Sequence, residues 1–397
     1  METSMPIGGP TGGGTVSTHG PGPEVATEPN RLRYQPALDG VRAIAILAVL
    51  ASHMFITLDS GGEGVDVFFV LSGFLITTLL LQEHDSTGHI SLRAFWWRRA
   101  ARLLPALFVM APIVAVAFAI VRPEEWRTSD LGVVSALLYT SSWVRASGAS
   151  ELGWMGHTWS LSVEEWFYAA WPLCMIVLLR RGSRVAGWIV AAACLAVTYR
   201  LVSEHSGVSY EYLYNAPDQR AGQLLIGCAA GAGLFALGAQ GGRYARAFVA
   251  GGVIGAVVVG ATLSGLTAEH ARYGFDYTSG QSTVIALGAA AMILSIVAVP
   301  GWLLARTLAW RPLVWIGRRS YGLYLWHLPI FGLVLLGHRA VSGTRLDAER
   351  VLALGLAFAA AAISFRYVER PAIRWVRNRE AEKRRAYEVA APVPAQA

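Results

Sequence analysis

Apolar runs of about 20 residues, the length a helix needs to cross a hydrocarbon layer, recur along nearly the whole chain. They fall at about 41–57, 65–82, 103–121, 160–179, 184–203, 219–239, 247–266, 281–300, 319–337 and 349–368, and a further run at 131–144 is too short to span. Backbone inside lipid must satisfy its own N–H and C=O groups, which consecutive apolar segments do as helices. The sequence therefore predicts an all-α, polytopic membrane helix bundle with about ten transmembrane helices plus one re-entrant or interfacial segment. With 54% hydrophobic and only 15% charged residues among 397, little chain is left for a soluble domain.

Charge sets the expected orientation. If the N-terminus starts inside, 24 of the 33 Lys and Arg residues fall on the inner side, so the positive-inside rule places both termini in the cytoplasm. The net charge of +7 is thereby explained by topology, since the arginines flank spans and form no basic stripe with interleaved aromatics of the kind that binds nucleic acid. Residues 1–30, rich in Gly, Pro and Thr with almost nothing to bury, read as a disordered tail. They lack the basic start and apolar core of a signal peptide, which leaves the first span as the insertion signal. Residues 31–376 read as one membrane domain. Residues 377–397 read as a tail that is first basic and then disordered, and the stretch leading into it is amphipathic and suited to the anionic inner leaflet. Cys174, Cys194 and Cys228 each lie in an apolar run and read as buried thiols, with neither a disulfide framework nor zinc spacing. No metal site is expected. A single lysine, Lys383, in an Ala- and Gly-rich chain reads as the coding style of a high-GC bacterium.

Several ionisable residues sit where lipid would penalise them. Arg42 and His53 are eleven residues apart, so on a helix they differ by about 20° in angle and about 16 Å in height. They share one face. Spacing alone leaves His53 open between a structural histidine bonded to a neighbouring helix and a general base. "GGEGVDVFFVLSGFLITTLLL" (61–81) starts as a glycine-rich turn, carries Asp66 at the mouth of the second span, and offers Ser72 and Gly73 as a helix-packing seam.

"FWWRRAARLLPAL" (95–107) puts Arg98, Arg99 and Arg102 at the inner end of the third span, with Arg99 and Arg102 a turn apart on one face. Guanidinium forks pair two phosphate oxygens each, so the cluster suits a nucleotide-like polyphosphate; plain topological anchoring is the alternative, above all for Arg98. "HTWSLSVEEWFYAAWP" (157–172) carries Glu164 and Glu165 about a turn into the span at 160–179. Adjacent carboxylates point to different faces, so at least one needs a partner, and Arg220, entering its own span from the same side, is the expected one. In "RRSYGLYLWHLPI" (318–330), His327 lies well inside the span beyond an aromatic belt of Tyr321, Tyr324 and Trp326.

Taken in order, Arg42 with ten residues to His53, "GGEGVDVFFVLSGFLIT", "RRAARLLPA", "WSLSVEEWFY" and "SYGLYLWHLPI" resemble the membrane acyltransferase-3 family of bacterial O-acyltransferases of sugars and related hydroxyl compounds. The resemblance runs over roughly residues 34 to 376. It implies a ten-span acyltransferase core in the bacterial plasma membrane and an acyl-CoA co-substrate approached from the cytoplasm, with no permanently bound cofactor. It also implies an essential first-span histidine, His53, with Arg42 below it. The family's Arg-x-x-Arg pair maps onto Arg99 and Arg102, and the carboxylate of its motif matching "WSLSVEEWFY" onto Glu164 or Glu165. This sequence has Trp166 where the family usually carries Gln. Many members continue into an esterase-like domain; this chain is expected to be of the stand-alone type.

The expected function is transfer of a short acyl group, acetyl in the simplest case, from acyl-CoA to a sugar hydroxyl. The acceptor would be a cell-envelope glycan, a glycolipid, or a glycosylated natural product such as a macrolide. His53 is the expected general base, assisted by Arg42, Glu164 and Glu165, and Arg98, Arg99 and Arg102 hold the donor. Asp66, Arg220 and His327 are assigned to the acceptor. The alternative is a transporter or exporter using the buried charges as a relay, although no internal repeat supports it.

Overall fold

The structure, a computed structural model, describes residues 34–54, 61–121, 123–148, 152–264, 279–335 and 344–390. Among these every regular element is helical. The long helices are α1 (Pro36–Met54), α2 (Gly61–Thr87) and α3 (Leu92–Val121), followed by the short α4 (Trp126–Leu137) and α5 (Ser141–Ala146). Then come α6 (Trp159–Leu179), α7 (Val185–His205), the short α8 (Tyr210–Asn215), α9 (Pro217–Leu237), α10 (Ala245–Leu263) and α11 (Ser279–Ala298). Two short helices, α12 (Leu303–Leu308) and α13 (Arg311–Gly317), precede α14 (Ser320–Val334), α15 (Thr344–Ser364) and α16 (Arg370–Ala390). A single π turn, Phe365–Glu369, joins α15 to α16.

Nine stretches among the described residues are long and apolar enough to cross a membrane. The span expected at 319–337 is held by α14, of which 15 residues are described. α3 is longer than its apolar run: the arginine-rich turn continues the helix for three turns, because Arg is a good helix former whose charges here face a cavity. The run at 131–144 does not span. It is broken between α4 and α5 at Tyr139, whose φ of 53° stops the helix, and Trp166 Nε1 fastens the break to α6 by donating to Tyr139 O at 3.1 Å. Trp166, in place of the family's usual Gln, thus points away from the bundle centre and is exposed.

α2 is the hub, and its most intimate neighbour is α9. Gly73 on α2 lies against the backbone of Leu224, while Gly227 and Gly231 on α9 lie against the backbone of Val70 and Phe74, so these helices touch main chain to main chain. Small residues permit that approach where lipid supplies no hydrophobic drive for association. The segment at 61–64, read from sequence as a turn, is already helix: Gly64 is needed because a Cβ there would stand 2.6 Å from Ala45 O on α1.

Two other expectations change. Cys174 and Cys194 lie on the outside of the bundle and only Cys228 is buried; all three are free thiols. An apolar residue in a span suits the lipid-facing side as well as the core, so hydrophobicity did not distinguish them. The basic stretch after the last span forms α16, helical to Ala390, and packs against α3 with Trp97 and Trp375 rings 6.0 Å apart. The tail expected at 1–30 and residues 391–397 of the one expected at 377–397 lie outside the described residues.

Candidate active site

A cavity of about 460 Å³ runs between α1, α2, α3, α6 and α14, within the size range of small-molecule sites. Its α2 wall extends from Val65 to Thr87, about 33 Å at the helical rise. It is a slot about as long as the bilayer's hydrocarbon core is thick, roughly 30 Å.

Four arginines line it: Arg42, Arg98, Arg99 and Arg102. Arg42 is tethered to Asp39 one turn below at 3.4 Å, and Arg99 stacks 3.6 Å over the Tyr168 ring. The charges acting on Arg102 include Arg42 and Arg99 and, opposing them, the carboxylate of Glu164. The four guanidiniums outnumber the two carboxylates of the lining, Glu83 and Glu164, so the slot has positive charge to spare for an anion, and phosphate matches the guanidinium fork. Arg98 differs, since Glu83 at 3.3 Å and Glu380 of α16 at 3.2 Å hold it at the slot's rim.

Glu164 also lines the slot, where Ser72 Oγ donates to Oε1 at 2.8 Å. Ser72, read from sequence as packing surface, is therefore a polar partner. Glu165, on the adjacent face, is not part of the lining, and its neighbouring positive charge is Arg99. The expected pairing of these carboxylates with Arg220 is corrected: Arg220 meets Asp66 at 3.5 Å, and both side chains are 0% exposed. Three rings surround that guanidinium, Tyr214 at 4.8 Å, Trp159 at 5.2 Å and Phe69 at 5.9 Å. Asp66 and Arg220 thus lie together outside the slot and make a structural tie between α2 and α9.

Beyond the slot stands a cluster of three histidines. His53, at the end of α1, has its ring centroid 5.0 Å from that of His327, which lies 5.1 Å from that of His157. His157 and His327 are buried, and His53 is exposed. Sequence reasoning passed over His157, which opens the "HTWSLSVEEW" motif in a 3-10 turn before α6; its one signal was a histidine placed directly before a span.

None of the described histidines lines the slot. Its far end carries Ser160 and Tyr324, whose hydroxyls lie 2.5 Å apart. Tyr324 gives its single proton to His157 O at 2.7 Å, so Ser160 is the donor to Tyr324. The Tyr324 ring packs 5.3 Å from His157 and 5.5 Å from His327, so one aromatic side chain separates the arginine slot from the histidines.

A family model described as an acyltransferase domain matches residues 35–365. The chain belongs to this acyltransferase family. Relatives of this family member include the peptidoglycan O-acetyltransferase OatA of Listeria monocytogenes, 30% identical over 355 residues that cover 85% of this chain and 56% of the relative. The O-acetyltransferase OatA of Staphylococcus aureus is 31% identical over 352 residues, covering 85% and 57%. The chain thus spans a little over half the length of these relatives. No solved structure matches it. As a family member with nine described stretches fit to cross a bilayer, the chain is a multi-pass membrane protein.

Proposed function

We propose that the protein transfers an acetyl group from acetyl-CoA to a hydroxyl of a cell-envelope glycan. The observation that carries this reading is the slot itself, with four arginines along it and a histidine cluster one side chain beyond its end. The names of the relatives, O-acetyltransferases of which one acts on peptidoglycan, supply the acyl group and the acceptor class.

In this reading Arg99 and Arg102 hold the donor's phosphates at the cytoplasmic end, and the pantetheine arm lies along α2. Arg42 stands about 16 Å below His53, so the arm has a helix-long path to the imidazole. For the thioester to pass, the Tyr324 ring, tethered through its hydroxyl to Ser160 and His157 O, has to swing aside. His53 takes the acceptor hydroxyl's proton as its oxygen attacks the thioester carbon; a C–O bond forms, the C–S bond breaks, and the proton passes to the leaving thiolate. Thioesters are already activated, so a positioned base is sufficient and no serine or cysteine nucleophile is required.

The test is purified protein in detergent with acetyl-CoA and a muramic-acid-containing tetrasaccharide, following thiol release and sugar mass. Release of thiol together with a sugar heavier by one acetyl group supports the reading. Unchanged thioester with every sugar offered, macrolide glycosides included, sinks it and leaves the carrier reading.

A further inference from the structure

His53 and His327 come from helices far apart in sequence, and His53 Nδ1 lies 3.3 Å from His327 Nε2. The carbonyls around them fix which nitrogens carry protons. His327 Nδ1 lies 2.7 Å from Tyr324 O and 3.1 Å from Leu323 O. A carbonyl oxygen only accepts, so Nδ1 is protonated and, in the neutral ring, Nε2 carries the lone pair. His53 Nδ1 lies 2.9 Å from Val49 O, and the same reasoning puts its proton there. That proton is directed at two acceptors, Val49 O and His327 Nε2. The lone pair of His53 is therefore on Nε2.

The two rings are thus joined head to tail, from His53 through His327 to the Tyr324 carbonyl. His327 is 0% exposed, and the His157 ring meets it edge-on at 73°. His327 is a fixed acceptor, whereas His53 is exposed at the end of its helix and takes its orientation from what it bonds.

We propose that His327 is a positioning residue, whose Nε2, as the second acceptor of the Nδ1 proton, holds the His53 ring in the orientation that presents Nε2 as the base. The proposal rests on the acyl-transfer reading above and reassigns His327 from the acceptor-binding role expected from sequence. When His53 takes a proton on Nε2, the Nδ1 proton shared with His327 spreads the new charge over two rings. The arrangement resembles the orienting partner in hydrolytic triads, with an imidazole in place of a carboxylate.

The direct test is nitrogen NMR of the full chain labelled with ¹⁵N-histidine in detergent micelles, with His53→Ala to assign the His53 signals. The wild type is expected to show His53 protonated at Nδ1 alone; a signal from the Nε2-protonated form as the main species overturns the proposal. His327→Phe keeps ring volume without an acceptor; Val49 O still accepts the Nδ1 proton, so the tautomer is kept and the expected change is a broadened His53 signal from a ring no longer held in one orientation. His327→Gln restores an acceptor oxygen near Nε2 and is expected to sharpen it again.

In the acetyl-CoA and tetrasaccharide assay, His327→Phe is expected to lower kcat about tenfold or more, a fraction of the effect of a general base, with the KM for acetyl-CoA within about twofold. His327→Gln is expected to recover most of the loss. Wild-type kcat in His327→Phe, or a His327→Gln no better than it at equal folded yield, overturns the proposal. If His53→Ala is inactive while His327→Phe is unaffected, only the positioning role fails. If His53→Ala turns over at the wild-type rate, the reading of His53 as base fails and this proposal with it.

Discussion

Ser72 Oγ donates to Glu164 Oε1 across 2.8 Å, joining α2 to α6 in the wall of the slot. A hydrogen bond to a charged group contributes about 1.5–3 kcal/mol. Ser72→Ala is therefore expected to lower turnover with acetyl-CoA roughly tenfold, because each 1.4 kcal/mol is a factor of ten. Thiol release from matched amounts of folded protein checks it. Wild-type turnover would show that Glu164 needs no such anchor.

Arg102→Lys keeps the charge and removes the fork. Lysine offers a point charge where arginine pairs two phosphate oxygens, so the KM for acetyl-CoA is expected to rise about tenfold with kcat within about threefold. Saturation kinetics with acetyl-pantetheine, which lacks the nucleotide phosphates, gives the control. An equal rise with that donor would remove phosphate binding as the role of Arg102.

The Asp66–Arg220 pair makes a different prediction, because both side chains are fully buried. Arg220→Met strands a carboxylate in the bundle and is expected to cost about 3–5 kcal/mol, read as a lowered unfolding midpoint in detergent. Adding Asp66→Leu removes the stranded charge and is expected to recover most of the loss. A double variant as unstable as the single one would assign the pair a role beyond mutual neutralisation.

The α2–α9 seam can be probed at two glycines of opposite surroundings. A Cβ at Gly73 would run into the Leu224 carbonyl, whereas a Cβ at Gly233 meets nothing within 4 Å. Gly73→Ala is expected to destabilise by about 1–3 kcal/mol. Gly233→Ala is expected to be neutral or to stabilise by about 0.5–1 kcal/mol, since it removes backbone freedom from the unfolded chain. Parallel thermal unfolding of the two proteins decides it.

The parts of this molecule that depend on helical period were legible in its sequence. Run length located the spans, an eleven-residue spacing put Arg42 and His53 on one stripe, and the arginine-rich turn lies where the slot is. What depends on which helix faces which was not legible. Arg220 was matched to Glu164 or Glu165 because they enter from the same side, but α9 packs against α2 and brings it to Asp66. The small residues that select that neighbour were visible at Gly73, but their partners on α9 were not. Burial of the cysteines was equally hidden, because lipid and core accept the same side chains. His157 and the Ser160–Tyr324 hydroxyls acquire meaning only once α6 and α14 are adjacent.

Arg98 holds the tail helix to the slot's rim through Glu380, with 42% of the arginine side chain and 30% of the carboxylate exposed. An ion pair so wet is worth roughly 0–1 kcal/mol, which sets the made and broken states of that contact within about fivefold of each other in population. Such a latch is undone by thermal motion and by salt alike. Under the proposed acetyl-CoA reading, an arriving polyphosphate competes for Arg98 against a weak rival on α16, while the Trp97–Trp375 contact keeps that helix on α3.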